Sequence, residues 1–122
     1  MGDSTEETKH YLTHFLEEFK ELICEGKIWI KDRRDTLNTL SDLGYTLKNL
    51  EQILLSLTVE DYYAGPKIDI YKEGDSYWEF GKAINAKEYY IKVKIDQGPR
   101  DERAVCFSFH RAEWPLIFPF KE

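Results

Sequence analysis

A chain of 122 residues, 42% of them apolar, has material for one hydrophobic core and one domain, and is too apolar to be disordered throughout. Its formal net charge of −6 argues against unspecific attachment to nucleic acid, and two cysteines are too few for the disulfide framework of a small secreted protein. The opening "MGDSTEETKH" holds no apolar leader and no stretch approaches membrane length, so the expected location is the cytoplasm, with no membrane partner.

"STEETKHYLTHFLEEFKELICEG" reads as a first helix, capped by Ser4 or Thr5, with the acidic residues ahead of it expected to fray. Leu12, Phe15, Leu16, Phe19, Leu22 and Ile23 form its apolar stripe, and Gly26 is its expected stop. "KIWI" is a short extended piece. "DRRDTLNTLSDLG" predicts a second helix, opened by Asp32 with Asp35 three positions on, buried through Leu37, Leu40 and Leu43, and ended by Gly44. "TLKNLEQILLSL" predicts a third, capped by Thr46 and buried through Leu47, Leu50, Ile53, Leu54 and Leu57. "TVEDYYAGP" then reads as a last helical turn from Thr58, stopped at Gly65–Pro66.

Beyond Pro66 the period shortens to two. "SYWEFGK", "EYYIKVKI" and "RAVCFSFH" are expected strands, with "EGDS" and "GKAINA" as turns and "DQGPRDE" as a loop. Tyr90, Lys92 and Lys94 alternate against Tyr89, Ile91, Val93 and Ile95, and His110 is expected to share a face with Cys106 and Ser108. Helices followed by strands predict an α+β fold, N-terminal helices packed on a small antiparallel β-sheet. Cys24 and Cys106 allow one disulfide or two reduced, buried thiols.

The acidity belongs to the first half: residues 1–64 carry 7 Lys/Arg against 13 Asp/Glu, residues 65–122 carry 10 against 10. No phosphate-binding glycine loop, HExxH or CxxC is present, and His10 and His14, four apart on a helix, lack a third ligand, so no metal and no cofactor is expected. The strands gather a different set. Histidine moves protons near neutral pH, and lysines in phase with a tyrosine suit a phosphate backbone whose base stacks on the ring. Lys67, Glu79, Tyr90 and His110 form the candidate catalytic group, with Trp78, Lys92, Lys94 and Arg111 as candidate substrate-binding residues. Such a set fits RNA cleavage without a metal. The 2′-hydroxyl attacks the adjacent phosphorus, Glu79 helps remove its proton, cations stabilise the phosphorane, and His110 protonates the leaving 5′-oxygen.

"LTVEDYYAGP", "YWEF", "YYIKVKI" and "VCFSFH", in that order, resemble the MqsR family of toxins from bacterial type II toxin–antitoxin systems. The resemblance implies a RelE-like fold and an mRNA interferase, an endoribonuclease cutting single-stranded mRNA, held in check by a cognate antitoxin protein. It also implies site positions. The family's "DFYK" falls on Asp61, Tyr62, Tyr63 and Ala64, which leaves Lys67 as the nearby cation. The polar residue after the sheet tryptophan falls on Glu79, the strand tyrosine and lysine on Tyr90 and Lys92, and the terminal lysine on His110. The twelve residues after His110 extend past the motif. The competing expectation is a non-catalytic RNA-binding or protein-interaction module of the same fold.

Overall fold

Local hydrogen bonding marks the end of the first helix and the start of the third. The computed structural model describes residues 2–72, 74–98 and 101–122; Met1, Glu73 of "EGDS" and the Pro-Arg pair of "DQGPRDE" lie outside them. Helix α1 (Gly2–Cys24) starts at Gly2, so Ser4 and Thr5 lie inside it and neither caps it. Gly26, at φ 79°, ends it: its N–H donates to the Ile23 carbonyl and that of Lys27 to Leu22, the paired bonds of a left-handed helix stop. Strand β1 (Ile28–Ile30) follows, then α2 (Arg34–Leu43). Arg33, not Asp32, is the residue before α2, and it makes no side-chain cap. Helix α3 (Leu47–Leu55) has the expected cap: the Asn49 N–H donates to the Thr46 hydroxyl at 3.1 Å, and the Thr46 N–H donates to Asn49 Oδ1 at 2.8 Å.

The expected helical turn at "TVEDYYAGP" is shorter than its sequence suggests. Only Val59–Asp61 is 3₁₀, and the chain then straightens into β2 (Tyr62–Ile68), through Gly65–Pro66. Strands β3 (Ser76–Ile84), β4 (Lys87–Gln97) and β5 (Glu102–Arg111) complete the elements. In "GKAINA" the turn is confined to Asn85 and Ala86, at φ 52° and 65°, a two-residue hairpin matched to strand twist.

One five-stranded sheet results, in the order β1-β5-β4-β3-β2. It is mixed: β2 to β5 are antiparallel, whereas β1 joins β5 in parallel, with Ile28 opposite Ala104 and Ile30 opposite Cys106. The short "KIWI" piece is thus a sheet edge, and an entirely antiparallel sheet is corrected by it. The α+β class stands, with the three helices on one face.

The core lies between that face and the helices. Leu12, Phe19, Leu50 and Leu54 from the helices meet Phe80, Ile91, Val93 and Phe109 from the strands, all fully buried. Phe15 stacks on Trp78 with ring centroids 5.4 Å apart. Leu37 and Leu47, expected on buried faces, are exposed; in α2 it is Thr36, Thr39 and Leu40 that face inward. The cysteines are both free, but Cys24 is exposed, and only Cys106 is buried, its thiol pushed up to about 12 by desolvation.

A bulge in β5 sets what the other face displays. Lys92 pairs with Ser108, yet the next residue, Val93, pairs with Cys106, so Phe107 is the extra residue. Before the bulge Ala104 and Cys106 face the core; after it Phe109 does, while Ser108 and His110 face outward. His110 and Cys106 therefore lie on opposite faces, correcting the shared face expected from simple alternation. The Phe109 N–H, next to the irregularity, donates to the Thr36 hydroxyl at 3.2 Å, which ties α2 to the strand.

Candidate functional site

Register assembles the outward face row by row. Gly81, Tyr90 and His110 form one row; Ala64, Glu79, Lys92 and Ser108 the next; Lys67, Tyr77, Lys94, Val105 and Trp29 the third. The expected meeting of Tyr90, Lys92, Glu79, Lys67 and His110 on one surface is what this pairing produces.

Glu79 is the hub. It is only 6% exposed, and both its carboxylate oxygens are engaged. Tyr90 donates its hydroxyl to Oε2 at 2.5 Å, and the Lys67 ammonium lies 2.6 Å from Oε1 as an ion pair, off the direction of a formal hydrogen bond. Burial, then the bond to Glu79, raises the Tyr90 phenol well above its ordinary range, so it stays protonated. The contact with Glu79 likewise raises Lys67.

The His110 ring stacks on Tyr90, centroids 5.1 Å apart and planes 30° from parallel. Its Nδ1 lies 2.8 Å from the Arg111 carbonyl oxygen, which can only accept, so Nδ1 carries the hydrogen. Nε2 has no partner among the described residues and is the nitrogen left to exchange a proton. Beside the ring opens a pocket of about 200 Å³, lined by Glu79, Tyr90, His110, Glu113, Trp114 and Leu116.

The segment after β5 builds the pocket's wall. Trp114 donates its indole N–H to the Tyr63 hydroxyl at 3.1 Å, and the Leu116 N–H donates to Glu88 Oε1 at 3.0 Å. Leu116 and Phe118 lie over Gly81: a Cβ there would come within 2.5 Å of Leu116 Cδ1 and 2.8 Å of the Phe118 ring. Phe120 then stacks on Tyr62, centroids 4.8 Å apart. Sequence reasoning assigned this segment no site residue. Its one usable signal was the dense aromatic run just beyond His110.

Of the candidate lysines Lys67, Lys92 and Lys94, Lys92 is the one without a carboxylate partner among the described residues. It is half-buried, its ammonium is 4.1 Å from the Tyr77 ring centroid, and it has no ion-pair partner among the described residues. Desolvation is the main cause that lowers its pKa from the ordinary lysine value.

Three expected site residues are placed differently. Trp78 faces the helices, buried against Phe15 and Tyr62, because successive residues of a strand point to opposite faces and Glu79 takes the outer one. For the same reason Arg111 pairs with Tyr89 and leaves the His110 face. Lys94 is on the correct face but buried, clamped by Asp69 at 2.7 Å and Asp75 at 2.8 Å, so its charge is already taken up.

His10 and His14 meet edge to face at 4.6 Å on α1, and among the described residues no group of three or more His, Cys, Asp or Glu could hold a metal ion. Among the same residues no helix is long and apolar enough to cross a membrane. No protein-family model, curated protein or solved structure matches the chain.

Proposed function

We propose that this chain is an endoribonuclease that cuts single-stranded RNA by attack of the ribose 2′-hydroxyl on its own 3′-phosphate, without a metal ion, as its resemblance to the MqsR interferases implies. The supporting observation is the His110–Tyr90 stack at the edge of a pocket, one row from the unpaired Lys92 ammonium. A base stacks on the aromatic wall and Lys92 holds the phosphate. As an imidazolium, His110 gives its Nε2 proton to the 5′-oxygen as the P–O5′ bond breaks. The 2′-hydroxyl proton goes to a carboxylate of the pocket. Glu79 is poorly suited, since Lys67 and Tyr90 engage both its oxygens. Glu113 lines the same pocket, is exposed, and has no partner among the described residues, so it is the better acceptor. Glu79 then acts by orienting Tyr90 and Lys67. Under this reading the chain is the mRNA-cutting toxin of a type II pair, and its protein partner is a cognate antitoxin.

Single-stranded RNA incubated with the pure protein in EDTA is expected to yield fragments ending in 2′,3′-cyclic phosphate, and the same strand with 2′-deoxyribose throughout is expected to stay intact. His110→Ala is expected to lower the rate by about 10²-fold or more, from the usual worth of a positioned acid. Intact RNA with folded protein at high concentration overturns the proposal. The engaged state of Glu79 favours one second reading, an RNA-binding module without chemistry. It predicts binding that survives His110→Ala and no product at all.

A further inference from the structure

The face that carries His110 continues past Lys92 into a second hollow. This groove, of about 220 Å³, lies toward β1 and the β2–β3 connection. Its lining holds five cations, Lys31, Arg33, Lys72, Lys92 and Lys94, against Asp69 and Asp96, a surplus of three positive charges in a chain of net charge −6. The two carboxylates are already occupied. Asp69 takes the Lys94 ammonium, and Asp96 takes the Lys72 ammonium and the Arg103 guanidinium. Lys31, Arg33 and Lys92 have no ion-pair partner among the described residues, although carboxylates are plentiful elsewhere on the molecule.

Two of these free cations, Lys31 and Lys92, lie over an aromatic face. The ammoniums of Lys31 and Lys92 each lie 5.4 Å from the Phe107 ring centroid, the residue that the bulge adds to this side. Trp29, 41% exposed, is backed on its ring by the Arg103 guanidinium at 4.5 Å, and Tyr71, 92% exposed, lines the groove as well. Desolvation lowers the Lys92 pKa first of all; Asp69 and Glu79 oppose that through space, and Arg33 and Lys31 add repulsion that lowers it further.

We infer that this groove is a second nucleotide subsite, in which Lys31, Arg33 and Lys92 hold the phosphates of a single strand of RNA while a base stacks on Trp29. The inference rests on the RNA-cleaving reading of the His110 pocket and specifies its substrate as an extended strand. From the Tyr90 row to the Lys94 row is four residues of strand, about 13 Å at about 3.3 Å per residue. That distance corresponds to about two to four nucleotide steps, given a stacked rise of about 3.4 Å and longer steps when bases splay apart. The aromatic surfaces read stacking rather than base edges, so the subsite adds affinity with little sequence preference.

Binding is measured by fluorescence anisotropy with labelled oligoribonucleotides of four and twelve residues carrying 2′-O-methyl groups at every position, which blocks attack by the 2′-oxygen, in EDTA, across a series of salt concentrations. The twelve-residue strand is expected to bind at least tenfold tighter than the four-residue strand. Lys31→Ala/Arg33→Ala is expected to remove most of that gain and to lower the salt slope by about 1.4, at about 0.7 per phosphate contact. Trp29→Ala is expected to weaken binding of the long strand without changing the slope. Lys48→Ala, on the helical side, is the charge control and leaves both unchanged. Circular dichroism verifies folding, and the exposed positions also allow Lys31→Gln should the double variant fail that check.

Unchanged affinity and slope in the groove variants overturn the subsite, even where the wild type cuts RNA. Groove variants that weaken binding in a protein that never cuts RNA leave the subsite standing and overturn the cleavage reading alone. A polyglutamate peptide that displaces RNA at equal charge concentration makes the groove a dock for acidic protein and overturns the inference.

Discussion

Glu79 is poorly placed as a base because Tyr90 and Lys67 have each claimed an oxygen, which leaves neither open to an incoming hydroxyl. Glu113 makes no such contacts among the described residues. The two substitutions should therefore differ in kind. Glu113→Gln is expected to slow single-turnover cleavage by about 10²-fold while leaving the affinity for uncleavable RNA unchanged. Glu79→Gln keeps an oxygen for the Tyr90 hydroxyl but frees Lys67, so its loss should appear in binding as well as in rate. A Glu113→Gln protein that cuts within twofold of the wild-type rate removes Glu113 from the reaction. Which carboxylate is engaged was not legible in the sequence, since it depends on side chains from β2 and β4 closing over one residue of β3. The wrong inclusion of Trp78 beside Glu79, by contrast, was avoidable: strand neighbours cannot share a face.

Among the elements, the helices were legible because an apolar stripe repeats along each, and β3, β4 and β5 because their alternation is clean. Strand β2 was not, since the Thr58–Asp61 pair signals a helix start and Gly65–Pro66 its end. Three residues of β1 carry too little pattern to reveal a parallel partner 76 positions away at Ala104. The bulge at Phe107 is invisible to any reading that assumes a strict period of two, although it decides which residues accompany His110. One further consequence at this scale concerns the β2–β3 connection, held to β4 by Lys94 between Asp69 and Asp75. Lys94→Met leaves Asp69 without its cation and Asp75 with only the more distant Lys72 at 3.7 Å, and is expected to cost about 3–5 kcal/mol at neutral pH. The ion pairs with Lys94 and Lys72 hold Asp69 and Asp96 below the ordinary value of 3.8. Their stabilisation is thus present above that value and is lost as pH falls through the depressed ones. Thermal melts from pH 7 down to pH 2 should show the wild type losing stability on the acid side and the gap to Lys94→Met narrowing there. A gap that stays constant across the series would mean that the clamp contributes no pH-dependent stability.

At the scale of the whole molecule, an acidic chain gathers Lys31, Arg33 and Lys92, each without an ion pair among the described residues, around one groove on the outer face of the sheet, while the helices take the other face. The segment after β5 crosses that face and rests on Gly81, where no side chain fits beneath Leu116 and Phe118. Gly81→Ala is expected to cost about 1–3 kcal/mol by overpacking, or to lift the segment away. Limited proteolysis separates this from general unfolding: cuts confined to residues 112–122, with the sheet intact by circular dichroism, are the expected result, and protection equal to wild type would show that the segment is not seated there. Loss of the wall should also weaken RNA binding at the His110 pocket, which Trp114 and Leu116 help to line.

The order of strands carries a consequence for how such a protein comes into being. β1 is made early, but its sole neighbour in the sheet is β5, and β5 also carries His110. While the chain is still emerging from the ribosome, β1 has nothing to lie against and the imidazole of His110 has not been synthesised. On the proposed reading as an RNA-cutting protein, the chain would in this way be harmless to the template encoding it until almost all of its own translation is done.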